Sequence, residues 1–191
     1  MRYLYRLIVL LYAESRPELG VLPVNDEAYL SGYSMDRLRE LTLVDLDTDQ
    51  ARNGRHLDES LTRLFELVND GYHADHAAQQ FTFDLPQEGE ASYDEHLQFP
   101  GLDASLFEPK STKLLDDVTL RNEQLQQVLR LLMLSPEGKK GRGKGSDRGF
   151  ISYAQLGINQ LGAVYEGLMA YSGFFASEDL YEVAKNGDPS D

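Results

Sequence analysis

Apolar residues recur along most of this chain at three- and four-residue spacing, the period of a helix with one buried face. Over residues 2–15 the stripe is Leu4, Leu7, Ile8 and Leu11, and Val9, Leu10 and Tyr12 make the segment apolar nearly all round. Such a helix belongs at the centre of a core. Pro17 stops it, because the residue before a proline avoids the helical region. Residues 18–32, with Gly20, Pro23 and Gly32, read as an ordered loop anchored by Tyr29 and Tyr33. Ser34 is placed to cap a short helix over 35–43 with Leu38 and Leu41 inward. Residues 45–56 are polar and read as a surface loop. Leu57, Leu61, Leu64, Phe65 and Val68 predict a helix over 57–70, with Gly71 just past its end. Asp116 or Asp117 is expected to start a fourth helix over 118–134, with Leu125, Val128, Leu129 and Leu132 inward and Leu131 and Met133 adding apolar surface elsewhere.

The richest stretch is 149–175, GFISYAQLGINQLGAVYEGLMAYSGFF. Leu161, Val164, Tyr165 and Leu168 share one helical face, and Met169 widens it. Asn159 is a candidate cap and Gly173 a candidate terminator. Gly162 and Gly167 each cost about 1 kcal/mol against alanine inside a helix. Their pairing predicts a buried, tightly packed helix that another backbone approaches closely. Glu166 falls beside the stripe, at its rim or in an ion pair. Strand periodicity is sparse: FTFDL at 81–85, 151–153, and LYEVAK at 180–185, followed by the turn dipeptide Asn186-Gly187. Residues 86–103 read as a loop insertion, with Leu106 and Phe107 pinning it to the core. The expected fold is mainly α: an irregular helical bundle with a few short strands and long loops. Residues 1–175 form a helical connector-like domain, and 176–191 begin a hairpin or a linker leading to a further, catalytic domain.

Length and composition narrow this further. The 191 residues suit one domain or one and a half, and 41% apolar residues suffice for a core. Without cysteine there are no disulfides and no thiolate metal sites, which fits a reducing compartment. The net charge is −14, but Lys139, Lys140, Arg142, Lys144 and Arg148 face only Asp147 between 139 and 148, a local +4 that leaves −18 on the rest. An acidic body repels phosphate, so general nucleic-acid binding by the whole chain is excluded. The acidity suits a soluble surface, or more sharply an acidic face that mimics DNA. The stretch 135–149, SPEGKKGRGKGSDRG, reads either as a flexible surface loop or as a mobile basic arm on the phosphate backbone. Arg2 and Arg6, one turn apart, suit a solvated edge, an ion pair with acidic neighbours, or a phosphate contact.

Catalytic and metal patterns are missing. Asp45, Asp47 and Asp49 mimic the start of a calcium loop, but its sixth and twelfth places hold Gln50 and His56 instead of glycine and glutamate. His73 and His76, with Asp75 between them, lack a convergent third ligand and read as surface histidines. The basic stretch does not match a phosphate-cradling loop, and no glycine-rich nucleotide fingerprint, serine elbow or zinc-protease pattern occurs. No catalytic, cofactor-binding or metal-ligating residue is assigned. The N-terminal run LIVLLYA follows basic residues but precedes Glu14, Ser15, Arg16 and Pro17, not a cleavage site, and is far short of the ~20 residues that span a bilayer. A cytoplasmic protein without membrane partners is expected.

Three segments carry a family likeness: RYLYRLIVLLYAESRPELGVLP near the start, SLFEPKSTKLLDD before the fourth helix, and ISYAQLGINQLGAVYEGLMAY after the basic stretch. In this order they resemble large adenine-specific DNA methyltransferases, including type IIG restriction–modification enzymes and related phage-defence methylases. The most telling match is Gln160-Leu161-Gly162-Ala163-Val164-Tyr165-Glu166-Gly167-Leu168. The resemblance covers most of the chain and is weakest over 85–101. It implies a helical region ahead of an S-adenosylmethionine-dependent catalytic domain, with a nuclease domain before it in some members. The family's glycine-rich cofactor motif and Asn-Pro-Pro-Tyr/Phe catalytic motif are not among these 191 residues. Methylation, S-adenosylmethionine and DNA are therefore implied for a parent protein. The expectation for this stretch is a non-catalytic part that places the catalytic domain on DNA, with Lys139, Lys140, Arg142, Lys144 and Arg148 as backbone contacts and the remaining domains of the same polypeptide as partners. The competing expectation is a stand-alone acidic interaction module.

Overall fold

The first helix, α1 (Arg2–Glu14), buries residues on nearly every side, Leu7, Leu10 and Leu11 toward one neighbour set and Ile8 and Tyr12 toward another. A computed structural model of the chain describes residues 1–73, 97–135, 149–171 and 177–179. Within them α1 divides two apolar clusters. The larger gathers Tyr29, Met35, Leu61, Leu64, Phe99, Leu125 and Leu129; the smaller joins Ile8 and Tyr12 to Leu161 of the last helix. The fold is mainly α, as the periodicity predicts.

Eight α-helices are described. After α1 come α2 (Glu27–Gly32), α3 (Met35–Leu41), α4 (Asp49–Asn53), α5 (His56–Asp70), α6 (Lys113–Val118), α7 (Asn122–Met133) and α8 (Ile158–Ala170). The expected helices over 2–15, 35–43 and 57–70 form within two residues of their predicted ends. Ser34 caps α3 by accepting the Arg37 N–H at 3.1 Å. All five predicted inward positions of α5 are buried.

Two stretches expected to be loops contain helices, each set by a short capping side chain. Asp26 accepts the N–H groups of Ala28 and Tyr29 at 2.8 and 3.1 Å and starts α2 within 18–32. Thr48 accepts from Ala51 N–H at 3.1 Å and starts α4 within 45–56. The helix expected over 118–134 starts later, as α7 from Asn122; Asp116 and Asp117 do not start it but belong to the separate α6, which closes at Thr119, whose φ of 52° lies in the left-handed region. Asn122 explains the later start. Its side-chain oxygen accepts the Leu57 N–H at 3.0 Å and its amide donates to Ala51 O at 3.0 Å, so one residue joins α4, α5 and α7. Residues 151–153 form no strand; an isolated antiparallel bridge pairs Leu134 with Phe150 instead. Among the described residues, strand pairing is confined to β1 (Tyr72–His73) and β2 (Gln98–Phe99), antiparallel in the register Tyr72↔Phe99. The strands expected at 81–85 and 180–185 lie outside the described residues.

The close backbone approach expected at Gly162 and Gly167 occurs elsewhere. A Cβ on either of those would meet nothing within 4 Å. Gly71 and Gly101, at φ +78° and +70°, instead cross so tightly that a Cβ on either would lie 3.0–3.2 Å from the other segment's backbone. The crossing lets Leu102 and Asp103 donate to Val68 O and Asn69 O at 2.8 and 3.2 Å, satisfying carbonyls that the end of α5 leaves orphaned.

Arg6 is the other unexpected tie. It is neither a solvated edge nor a phosphate contact, being 3% exposed. Its Nε donates to Leu106 O at 2.6 Å, Nη2 to Glu108 O at 2.7 Å and Nη1 to Thr112 Oγ1 at 2.9 Å. Phe65 and Phe107 lie beside the guanidinium, 5.1 and 6.0 Å from its carbon to the ring centroids. The anchor expected at Leu106 and Phe107 thus exists, with Phe107 buried and Leu106 contributing its carbonyl.

Arg6→Ala is expected to cost about 3 kcal/mol in urea denaturation, because it strands three acceptors at once, Thr112 Oγ1 buried and the Leu106 and Glu108 carbonyls partly so. A loss under about 0.5 kcal/mol, the size of an ordinary surface substitution, would show that 106–112 is held without it. Gly101→Ala is expected to cost about 2 kcal/mol from strain and crowding, whereas Gly162→Ala stabilises the chain by about 0.5–1 kcal/mol. Equal effects at the two glycines would contradict the placement of the close crossing.

Candidate functional site

The five cations singled out by sequence, Lys139, Lys140, Arg142, Lys144 and Arg148, lie outside the described residues, but the base from which they spring is described. Ser135 N–H donates to Gly149 O, and Ile151 N–H to Met133 O, both at 2.8 Å. These bonds join residues 149–151 to the close of α7. Phe150 sits 4.9 Å from the Arg39 guanidinium carbon, and Tyr153 donates its hydroxyl to Leu132 O at 2.9 Å. The stretch 150–153 is thereby tied to α3 and α7.

The described arginines mostly point into the molecule's own polar groups. Arg130 donates to Thr42 O at 2.5 Å, Arg37 to Gly32 O at 3.0 Å, and Arg16 to Leu156 O at 3.2 Å. Arg52 pairs with Asp49 at 2.7 Å and Arg39 with Asp36 at 2.7 Å. Arg55 donates to Thr119, and Arg121 to Asn53 at 2.9 Å. Arg2 is exposed. An arginine held by a carbonyl or carboxylate of its own chain must give up that contact to take a phosphate. The 139–148 segment remains the densest run of positive charge in the sequence.

The last helix forms where expected but is seated differently. It begins at Ile158 with Gly157 as its cap residue, not at Asn159, because Gln160 reaches back and accepts the Gly157 N–H at 2.8 Å. It ends at Ala170 with Tyr171 extended; Gly173 lies outside the described residues. Of the predicted stripe Leu161 is buried, Val164 and Leu168 are half-buried, and Tyr165 is 43% exposed although its ring meets Tyr5 at 4.9 Å between centroids. Glu166, Gly162 and Gly167 are exposed. The helix is a rider on α1, not a core element: its described apolar contacts come from α1 and from Leu132, Tyr153 and Leu156, which cover one stripe only. Ile158 and Tyr171 stand 67% and 71% exposed.

No group of three or more histidine, aspartate or glutamate residues suited to a metal occurs among the described residues. Asp45, Asp47 and Asp49 are exposed, and Asp49 is in its ion pair with Arg52. His73 lies in β1, and His76 lies outside the described residues.

One half-buried carboxylate has no counterpart among the residues that the sequence singles out. Glu14, at the end of α1, accepts the Tyr29 hydroxyl at 3.0 Å and the Met35 N–H at 3.1 Å on one oxygen, binding α1 to α2 and α3. It faces a cavity of about 300 Å³ also lined by Asp36, Arg39 and Tyr153. Burial pushes its pKa up, and nearby Asp36 adds to the rise, against the opposing hydrogen bonds. Burial also raises Tyr29 and Tyr153. The one hint in sequence is an acidic residue closing the apolar run Leu7–Ala13. Searches of family models, curated proteins and solved structures find no match to this chain. No described helix is long and apolar enough to cross a membrane.

A folded-state pKa above the unfolded one means that Glu14 favours the fold most when protonated. Its contribution is present below the ordinary carboxylate pKa and is lost as pH rises through the raised value. The substitution Glu14→Gln keeps an acceptor for Tyr29 and Met35 without the partly desolvated charge. In urea titrations the stability of this variant relative to the parent is expected to improve on going from about pH 4, near the ordinary glutamate pKa, to neutral pH. A difference independent of pH would contradict it.

Proposed function

We propose that this chain is the non-catalytic helical portion of an S-adenosylmethionine-dependent, adenine-specific DNA methyltransferase of the restriction–modification or phage-defence kind. Its role is to position the catalytic domain on DNA. The observation that carries the reading is α8. A helix as apolar as INQLGAVYEGLMA, with one charged residue, normally has neighbours on most sides. Here it keeps Ile158, Gly162, Ala163, Gly167 and the following Tyr171 exposed. That pattern suits a helix on which the remaining domains of the same polypeptide lie. It also falls on the run 160–168 that resembles the family most. The cofactor and the methyl transfer belong to the parent protein; the cytoplasm is the compartment this reading implies.

The DNA contact is assigned to Lys139, Lys140, Arg142, Lys144 and Arg148. The inward commitment of the described arginines supports that assignment. It equally favours a second reading, a stand-alone acidic module that binds a partner or mimics DNA, in which 139–148 is a solvated loop.

A salt titration separates the two. With duplex DNA as ligand, log K is expected to fall with log salt at a slope no steeper than about −4.5, for five phosphates neutralised at about −0.9 each. Replacing all five cations by glutamine flattens it toward zero. No detectable binding at low salt, about 20 mM, would remove the DNA assignment and leave the acidic-module reading.

A further inference from the structure

Thr119 turns the chain from α6 into α7 at φ 52° and ψ 112°, a conformation that a β-branched residue ordinarily avoids. Its hydroxyl accepts from Nη2 of Arg55, at the start of α5. Both flanks of α6 are pinned. On one side Thr112 is held by the buried Arg6 at 2.9 Å. On the other, Arg121 donates to Asn53 Oδ1 at 2.9 Å, and the Asn122 N–H donates to Gly54 O at 2.8 Å. Between these pins the helix is lightly seated. Lys113 and Val118 are exposed and Leu115 is half-buried. Its main neighbour among the described residues is the turn Pro109–Thr112 directly before it. Leu115 and Thr119 belong to one wall of a groove of about 600 Å³ whose opposite wall is the polar side of α5.

We infer that residues 113–118 are a strap with two positions along this groove, and that the Arg55–Thr119 hydrogen bond is its latch. With the latch made, Thr119 is held in its strained backbone and α6 borders the groove, as seen here. With the latch broken, Thr119 relaxes to an ordinary φ and α6 swings away from α5, which widens the groove. The strain of one such residue and the worth of one hydrogen bond from a guanidinium are of the same order and opposite in sign, so the two positions lie close in free energy. A helix of 6 residues adds little resistance of its own. The pins at Thr112 and Asn122 confine the movement to the strap and leave α5 and α7 in place. The inference is independent of the methyltransferase reading, since it involves neither α8 nor 139–148.

The test is amide hydrogen exchange on the full chain, followed residue by residue by NMR. The probes are the amides of Asp117, Val118 and residue 119, which close α6 onto carbonyls four residues back. In the parent they are expected to open without global unfolding, at a lower free energy than those of α5 and α7. Thr119→Val keeps the branched shape and the strain but removes the acceptor; Arg55→Met keeps the stem but removes the donor. Each should raise the opening of these amides about tenfold, the worth of one charge-assisted hydrogen bond, and leave α5 and α7 unchanged. The double variant should add nothing further, because both changes break the same bond. Thr119→Gly, which lacks the hydroxyl and the strain alike, should open less than Thr119→Val. The proposal is overturned by 117–119 opening only through global unfolding, by unchanged exchange in either latch variant, by an equal rise throughout α5 and α7, or by Thr119→Gly opening as much as Thr119→Val.

Discussion

A guanidinium buried at the first turns of α1 conditions much of this molecule. Arg6 directly precedes the apolar run Leu7–Ala13 of α1, and taking its charge out of water is unfavourable unless its N–H groups are met. They are met by two backbone carbonyls and a hydroxyl a long way further along the chain, at Leu106, Glu108 and Thr112. The contact fixes where 106–112 lies, and with it Phe107, the approach to α6 and the groove beside α5. A hydrophobic contact alone would hold that segment with less directional precision, because apolar burial is not directional.

The same device recurs on a smaller scale. Gln126 donates to Leu41 O and Val44 O at 2.9 and 2.7 Å, so α7 closes the end of α3. Asn122 joins three helices, and Glu14 joins α1 to α2 and α3. Short helices such as α2, α3 and α4 are marginal by themselves. Here their ends are satisfied by side chains from other elements as well as by their own caps, and this lets an irregular bundle of short pieces form one core. A consequence is that most arginines of the described body are already engaged by groups of their own chain.

The long helices are legible in the sequence because burial on one face imposes its period on it. The core positions of α5 can be read one by one. The short helices are not legible because propensity is weak over five or six residues, and a single capping Asp26 or Thr48 decides the matter. The break at Thr119 is hidden for a different reason: it depends on Asn122 reaching residues of α4 and α5, far away in sequence. Gly162 and Gly167 mislead because a helical glycine signals close packing only when a neighbour is present, and among the described residues α8 has one on a single side. Gly71 and Gly101 show the opposite. Each looks like ordinary loop punctuation, and their proximity follows only from the crossing of two chain segments. Arg6 offers one clue, a cation directly followed by two residues that α1 must bury.

What most directly tests the account of α8 as a lightly seated rider with an open face is native-state hydrogen exchange on the full chain. The account predicts that amides of α1 and α5 exchange only through global unfolding, while those of α8 open at a distinctly lower free energy and show little dependence on the Arg6 network. Exchange of α8 at the same free energy as α1, lowered in step with it when Arg6 is replaced, would make α8 part of the core and contradict the account.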